Sequence, residues 1–121
     1  MRNLSVATLF FILALTVWAQ QAQAPVEITA EPSHHLVLDN MFVRVFAVSV
    51  DPGKSTLMHR HGHDYVVVPL ITGKLKIDDG KQEHIADLKA GGSYARPIGV
   101  EHNVINANDF EYAFVEIEIK A

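Results

Sequence analysis

The sequence predicts an all-β fold, a small barrel or jelly roll, on three observations. Short apolar or alternating runs recur along the chain, separated by turn signals at close intervals. No stretch of the body keeps a helical period; the nearest, Ala86 to Ala90, is too short to count. Roughly eight to ten short strands in one domain of this length need a closed or double-sheet arrangement to hide their edges.

The elements follow in order. His35 to Leu38 is the first expected strand, ended by Asp39-Asn40. Met41 to Val50, rich in valine and phenylalanine, leads into Asp51-Pro52-Gly53, a strong turn. Ser55 to His61 is the next strand, and Gly62-His63-Asp64 is a tight connection to Tyr65–Thr72. Gly73 separates that run from Lys74–Ile77, and Asp79-Gly80 signals a hairpin. Residues 81–88 and 93–96 are weaker strands around Gly91-Gly92, and His102 to Asn106 is another. Asn108-Asp109 turns the chain into Phe110–Lys120, which alternates: Val115, Ile117 and Ile119 share one face, Glu116, Glu118 and Lys120 the other. Phe42, Phe46, Phe110 and Phe114 are candidates for the core or a pocket wall.

The 121 residues suffice for one domain, expected over 26–121. Residues 1–19 have the form of a secretory signal: Arg2 as the positive region, an apolar run from Leu4 to Val17, and Val17-Trp18-Ala19 as the cleavage site. A retained anchor is the rival, but the run is shorter than the roughly 20 residues that span a bilayer. Residues 20–25 read as a flexible mature N-terminus. The expected location is the periplasm or the exterior, with no membrane attachment after cleavage. There is no cysteine, which excludes disulfides, thiolate ligands and a cysteine nucleophile. A net charge of −4 without a basic patch argues for solubility and against nucleic acid as a partner.

Chemistry concentrates in two histidine segments. On a strand, residues i and i+2 share a face, so His59 and His61 project together, with Leu57 on their side and Met58 and Arg60 on the other. Two imidazoles inside a barrel are costly unless paired or bound to something, although His-x-His alone is common on surfaces. The second segment runs Gly91-x5-Pro97-x-Gly99-x2-His102-x3-Asn106. Its glycines permit unusual backbone angles and its proline fixes a turn, so one histidine is delivered onto a new strand in a set orientation. Here the chain resembles the cupin superfamily. The second cupin motif, G-x5-P-x-G-x2-H-x3-N, is matched throughout, and the first, G-x5-H-x-H-x3-4-E-x6-G, is matched at Gly53, His59, His61 and Gly73. The resemblance implies a conical barrel with an interior metal site whose histidine ligands are His59, His61 and His102.

The departure is the glutamate. Its place falls on Tyr65 or Val66 by the two allowed spacings, and neither is a carboxylate. Asp64 is one or two places short, and His63 is a second substitute or else a solvated turn residue. Three neutral imidazoles leave a divalent ion its full charge, so the site would favour an anionic co-ligand and keep positions open, as catalytic sites do. Imidazoles suit several metals. Iron is the expected ion for an oxygenase, with zinc, manganese, nickel and copper as alternatives. Some cupin dioxygenases use a three-histidine iron site, so the resemblance stays compatible with catalysis.

Tyr65 and His63 are the candidate proton-handling catalytic residues, Tyr65 being otherwise a core-rim side chain. Arg96 could steer an anion to the barrel mouth or sit exposed at a strand end; Tyr94 shares its face and could wall the pocket. His34, His35 and His84 lack motif spacing and read as surface residues; Asn106 is expected to support its turn, and Glu101 to point away from His102. Three functions compete. The first is a metal-dependent dioxygenase acting on a small organic molecule. The second is a module that binds metal or a small ligand without turnover. The third is a metal-free carbohydrate isomerase or epimerase using histidine and tyrosine as acid and base. A homodimer paired through an edge strand or sheet face is expected by analogy.

Overall fold

The computed structural model describes residues 24–120. The predicted signal at 1–19 lies outside them, and of the segment 20–25 only Ala24 and Pro25 fall within. The described residues form ten strands: β1 (Val26–Glu27), β2 (His34–Asp39), β3 (Val43–Val50), β4 (His59–Arg60), β5 (Asp64–Pro69), β6 (Gly73–Asp78), β7 (Glu83–Leu88), β8 (Tyr94–Arg96), β9 (Glu101–Asn106) and β10 (Tyr112–Ile119). A single 3-10 turn, Ile28–Ala30, follows β1. The strands form two five-stranded sheets, ordered β1-β4-β9-β6-β7 and β2-β3-β10-β5-β8. The expected all-β double sheet is thus the architecture observed. No helix among the described residues is long and apolar enough to cross a membrane.

The two sheets enclose a core that includes Ile28, Phe46, Val48, Val67, Leu75, Val104, Tyr112 and Phe114. Facing residues fall in lateral rows across the second sheet. Phe46, Glu116, Val67 and Tyr94 are cross-strand neighbours in one row; Arg44, Glu118, Tyr65 and Arg96 form the next. Alternation along β10 is as expected, but its apolar set is the outer one. Glu116 and Glu118 are buried, 2% and 0% exposed, while Val115 and Ile117 lie half-buried on the outside with Val45, Ala47, Val66 and Val68. Tolerance for inward carboxylates comes from cations beside them: Arg44 Nε lies 2.5 Å from Glu118 and its guanidinium 5.3 Å from the Phe46 ring centroid.

Other expectations are corrected in detail. The strand expected over Ser55 to His61 is a lone bridge at Ser55 and the two residues of β4. The irregular run turns Thr56 inward, 2% exposed, and leaves Leu57 40% exposed instead of beneath the histidines. Phe46 and Phe114 are in the core, but Phe42 and Phe110 are exposed. β1 was not anticipated, because two residues carry no period; it pairs in parallel with β4.

Two motif glycines have distinct reasons. Gly99 has φ +92°, a backbone region that side chains disfavour. Gly73 has ordinary angles, but a Cβ there would sit 2.8 Å from Asn108 Oδ1 and 2.9 Å from a Tyr112 ring carbon. Gly73→Ala should therefore lower stability by about 1–3 kcal/mol through overpacking. Denaturant titration checks this, and an unchanged midpoint would mean that Asn108 and Tyr112 simply move aside.

Candidate metal centre

β4 and β9 run antiparallel with His59 directly opposite His102, so both side chains leave the same face side by side. The next pair, Arg60 and Glu101, faces outward and forms an exposed ion pair at 3.1 Å, as expected for Glu101. His61 lies one residue beyond β4. Its N–H donates to Val100 O at 2.9 Å, and its carbonyl accepts from Gly99 N–H at 2.8 Å. The turn around Pro97 and Gly99 thereby fixes His61 as well as His102. Asn106 closes the other end of β9. Its Nδ2 donates to Val50 O and Phe110 O, and its Oδ1 accepts from Asn108 N–H. That is the supporting role the sequence implied.

His59, His61 and His102 are all buried, and one donor atom from each lies within 4.8 Å of the others. Nδ1–H of His59 donates to Leu57 O at 2.8 Å, which fixes the tautomer and leaves Nε2 a buried lone pair without a partner. Nε2 of His61 and Nε2 of His102 are 3.1 Å apart. Two such nitrogens share either a proton or a cation. The Nδ1 atoms of these two rings lack partners among the described residues, so packing holds them. His61 stacks on Tyr65 at 3.8 Å with an 11° tilt, and His102 stands edge-on to both other rings.

Burial is the main reason all three rings are neutral. It pushes His102 down to about 3, helped by the charges of His59 and Arg96. Burial and the neighbouring imidazoles push His61 down to about 2. Burial lowers His59 too, against the hydrogen bond to Leu57. Neutral imidazoles with converging lone pairs are the state in which histidine binds metals. The donor set therefore fits a divalent cation.

A second ionisable cluster adjoins the first and was missed from sequence. His34, expected on the surface, is fully buried between two carboxylates. Its Nδ1 lies 2.5 Å from Glu31 and its Nε2 3.3 Å from Glu116. Burial alone would lower it, but the hydrogen bonds and charges of Glu116 and Glu31 raise it to about 9, so it is cationic at neutral pH. Glu31 also accepts N–H bonds from Ser33 and Leu57. His34 meets His59 edge-on at 4.9 Å between ring centroids. The interior thus contains carboxylates, but none belongs to the group of mutually close donors. The one sequence cue was the Glu31/His34 spacing; nothing local marked Glu116 as inward.

Tyr65 is 2% exposed, and among the described residues its hydroxyl makes no hydrogen bond of good geometry, although Arg96 lies near enough to oppose the effect of burial on it. Burial, reinforced by the Glu116 charge, raises its pKa, so it stays a phenol. His63 is half-buried in the turn, outside the imidazole group, and Asp64 Oδ1 is engaged by Ile98 N–H at 2.7 Å. Tyr65→Phe should leave stability within about 0.5 kcal/mol, because it keeps the stack and removes an unpaired hydroxyl. Tyr65→Ala should cost about 3–5 kcal/mol. Thermal unfolding of both variants separates these cases, and a large loss for the phenylalanine variant would reveal a hydroxyl contact.

Beside His102 opens a cavity of about 210 Å³ lined by Ile77, His84, Ala86, Leu88, Tyr94 and Arg96. An adjoining one of about 290 Å³ shares Ile77, His84, Arg96 and His102. His84 and His35 are exposed, as expected.

No protein-family model matches the chain. Over 83 residues it is 52% identical to the β-alanine degradation protein BauB of Pseudomonas aeruginosa, covering 69% of this chain and 87% of that protein. A crystal structure of a cupin domain from Bordetella pertussis shares 49% identity with a TM-score of 0.71, over 73% of this chain and 92% of that one. An RmlC-like cupin with a double-stranded β-helix fold from Methanocaldococcus jannaschii is 14% identical, with a TM-score of 0.60 over 71% and 77% of the two chains, a likeness of fold alone.

Proposed function

Because the chain belongs to the cupin family, we propose that His59, His61 and His102 hold one divalent metal ion, and that the protein is an oxidoreductase of the non-haem dioxygenase type acting on a small organic molecule. The observation that carries this reading is the buried grouping of three neutral imidazoles, with one donor atom of each within 4.8 Å of the others and His59 Nε2 unpartnered among the described residues. An ion there would act as a Lewis acid with open positions for substrate and oxygen. Iron is the metal this reading calls for.

The chain's own residues do the rest. Leu57 O sets the tautomer of His59, and the Tyr65 ring fixes the plane of His61. The cavity beside His102 gives a substrate a mostly apolar wall within reach of the cluster. Tyr65 offers a protonated hydroxyl inside the barrel, and His63 a half-buried imidazole at its rim. The name of the Pseudomonas relative, with its reference to β-alanine degradation, suits an enzyme of small-molecule breakdown. Export through the signal at 1–19 belongs to the same proposal. So does a homodimer, supported by the uncharged outer face of Val45, Ala47, Val66, Val68, Val115 and Ile117.

The test is elemental analysis of the purified native protein, followed by oxygen-uptake assays of the iron-loaded form against diketones, phenols, thiols and small carboxylic acids. Stoichiometric metal with oxygen consumption is the expected result. Metal without uptake on any of these classes would favour a binding module, and no metal would remove the reading.

A further inference from the structure

Arg96 ends β8 at an exposed position, opposite the buried Tyr65 across the ladder. It lines both cavities that reach His102. Among the described residues it takes part in no ion pair. The acids around it are engaged elsewhere. Glu101 pairs with Arg60 at 3.1 Å, Asp79 Oδ1 accepts the N–H groups of Lys81 and Gln82 at 2.8 Å, and Asp64 holds Ile98 N–H. Its guanidinium acts on the neighbouring Tyr65 hydroxyl but has no carboxylate partner among the described residues; at the mouth of an apolar cavity its planar fork can hold both oxygens of a carboxylate at once.

The rest of the cavity limits what that anion can be. At about 210 Å³ it falls below the roughly 300–1,000 Å³ of sites for drug-sized ligands, so a ligand confined to it is compact. Ile77, Leu88 and Tyr94 supply apolar contact for a short carbon body, and His102 forms part of the same lining. A cation held by three imidazoles alone keeps its full charge, which also favours an anion nearby.

We infer that Arg96 anchors the carboxylate of a small monoanionic ligand whose apolar body lies along Ile77, Leu88 and Tyr94 and whose far end reaches the three-histidine cluster. This deepens the metal-site reading by naming its ligand class, and rests on that reading only for the far end.

The experiment compares butyrate with butyramide, probes alike in shape but not in charge, by calorimetric titration of the native protein and of Arg96→Gln and Arg96→Lys, with metal content measured on each sample. Butyrate should bind native protein about tenfold more tightly than butyramide, about 1.4 kcal/mol. Arg96→Gln should erase that preference at unchanged metal content, and Arg96→Lys should keep part of it. Equal binding of the two probes to native protein, or an intact preference in Arg96→Gln, overturns the inference. Native protein that lacks metal yet shows the Arg96-dependent preference sinks the metal reading and leaves this one standing.

Discussion

His102→Ala protein is expected to emerge from purification without the metal proposed for the native protein. Two imidazoles from one short segment would remain, and the third donor, supplied from the opposite strand of the ladder, would be gone. Altering groups that merely orient a ligand typically costs about 10–100-fold in metal affinity, so removing a ligand outright should exceed that range. Oxygen uptake should fall with occupancy. Glu101→Ala is the matched control: it alters the neighbouring residue on β9, whose side chain is exposed and paired only with Arg60, and should leave metal content unchanged. Elemental analysis of both proteins decides the matter. Full stoichiometry in His102→Ala would remove this histidine from the ligand set. His102→Gln, closer in volume, guards against a merely misfolded alanine variant.

The second large effect concerns His34→Leu. Leucine removes the cation that sits between the two buried carboxyl groups of Glu31 and Glu116. Breaking such a cluster by removing one partner costs about 3–5 kcal/mol, since the remaining charges are stranded. For a domain of this size, a loss of 3 kcal/mol lowers Tm by at least about 12 °C. Combining His34→Leu with Glu116→Leu should recover part of the loss, because an apolar pair replaces one of the stranded acids. Unfolding should be followed in the presence of chelator, so that metal occupancy does not enter the comparison. A shift of only a degree or two for the single variant would show that water reaches the cluster.

The strands were largely legible because turn residues bound them: Asp51-Pro52-Gly53, Asp79-Gly80 and Asn108-Asp109 each mark a reversal that the fold makes. The three histidines were legible because two fixed spacings place them, and the structure brings those same residues together. What the sequence left open was which face of β10 turns inward. Its alternation is equally clean whichever face is inside. The inner choice depends on His34 and Arg44, which arrive from distant strands to neutralise Glu116 and Glu118. Charge compensation of that kind is a long-range property with no local trace. His34 was misread for the same reason, since one of its two partners lies on another strand.

β4, the two-residue strand that carries His59, has a further consequence. It joins β1, itself two residues long, to β9 through a handful of backbone bonds. Segments with so few protected amides open well before the whole domain does. A cation gripping His59 and His61 together with His102 would clamp that seam shut, adding about 4 kcal/mol when free metal is a thousandfold above its Kd. Amide exchange at His59 and His61 should therefore slow sharply on metal loading and quicken again with chelator, while β3 and β10 stay protected throughout. Solvent exchange at two backbone positions thus becomes a gauge of metal occupancy in the intact protein, independent of any knowledge of its substrate.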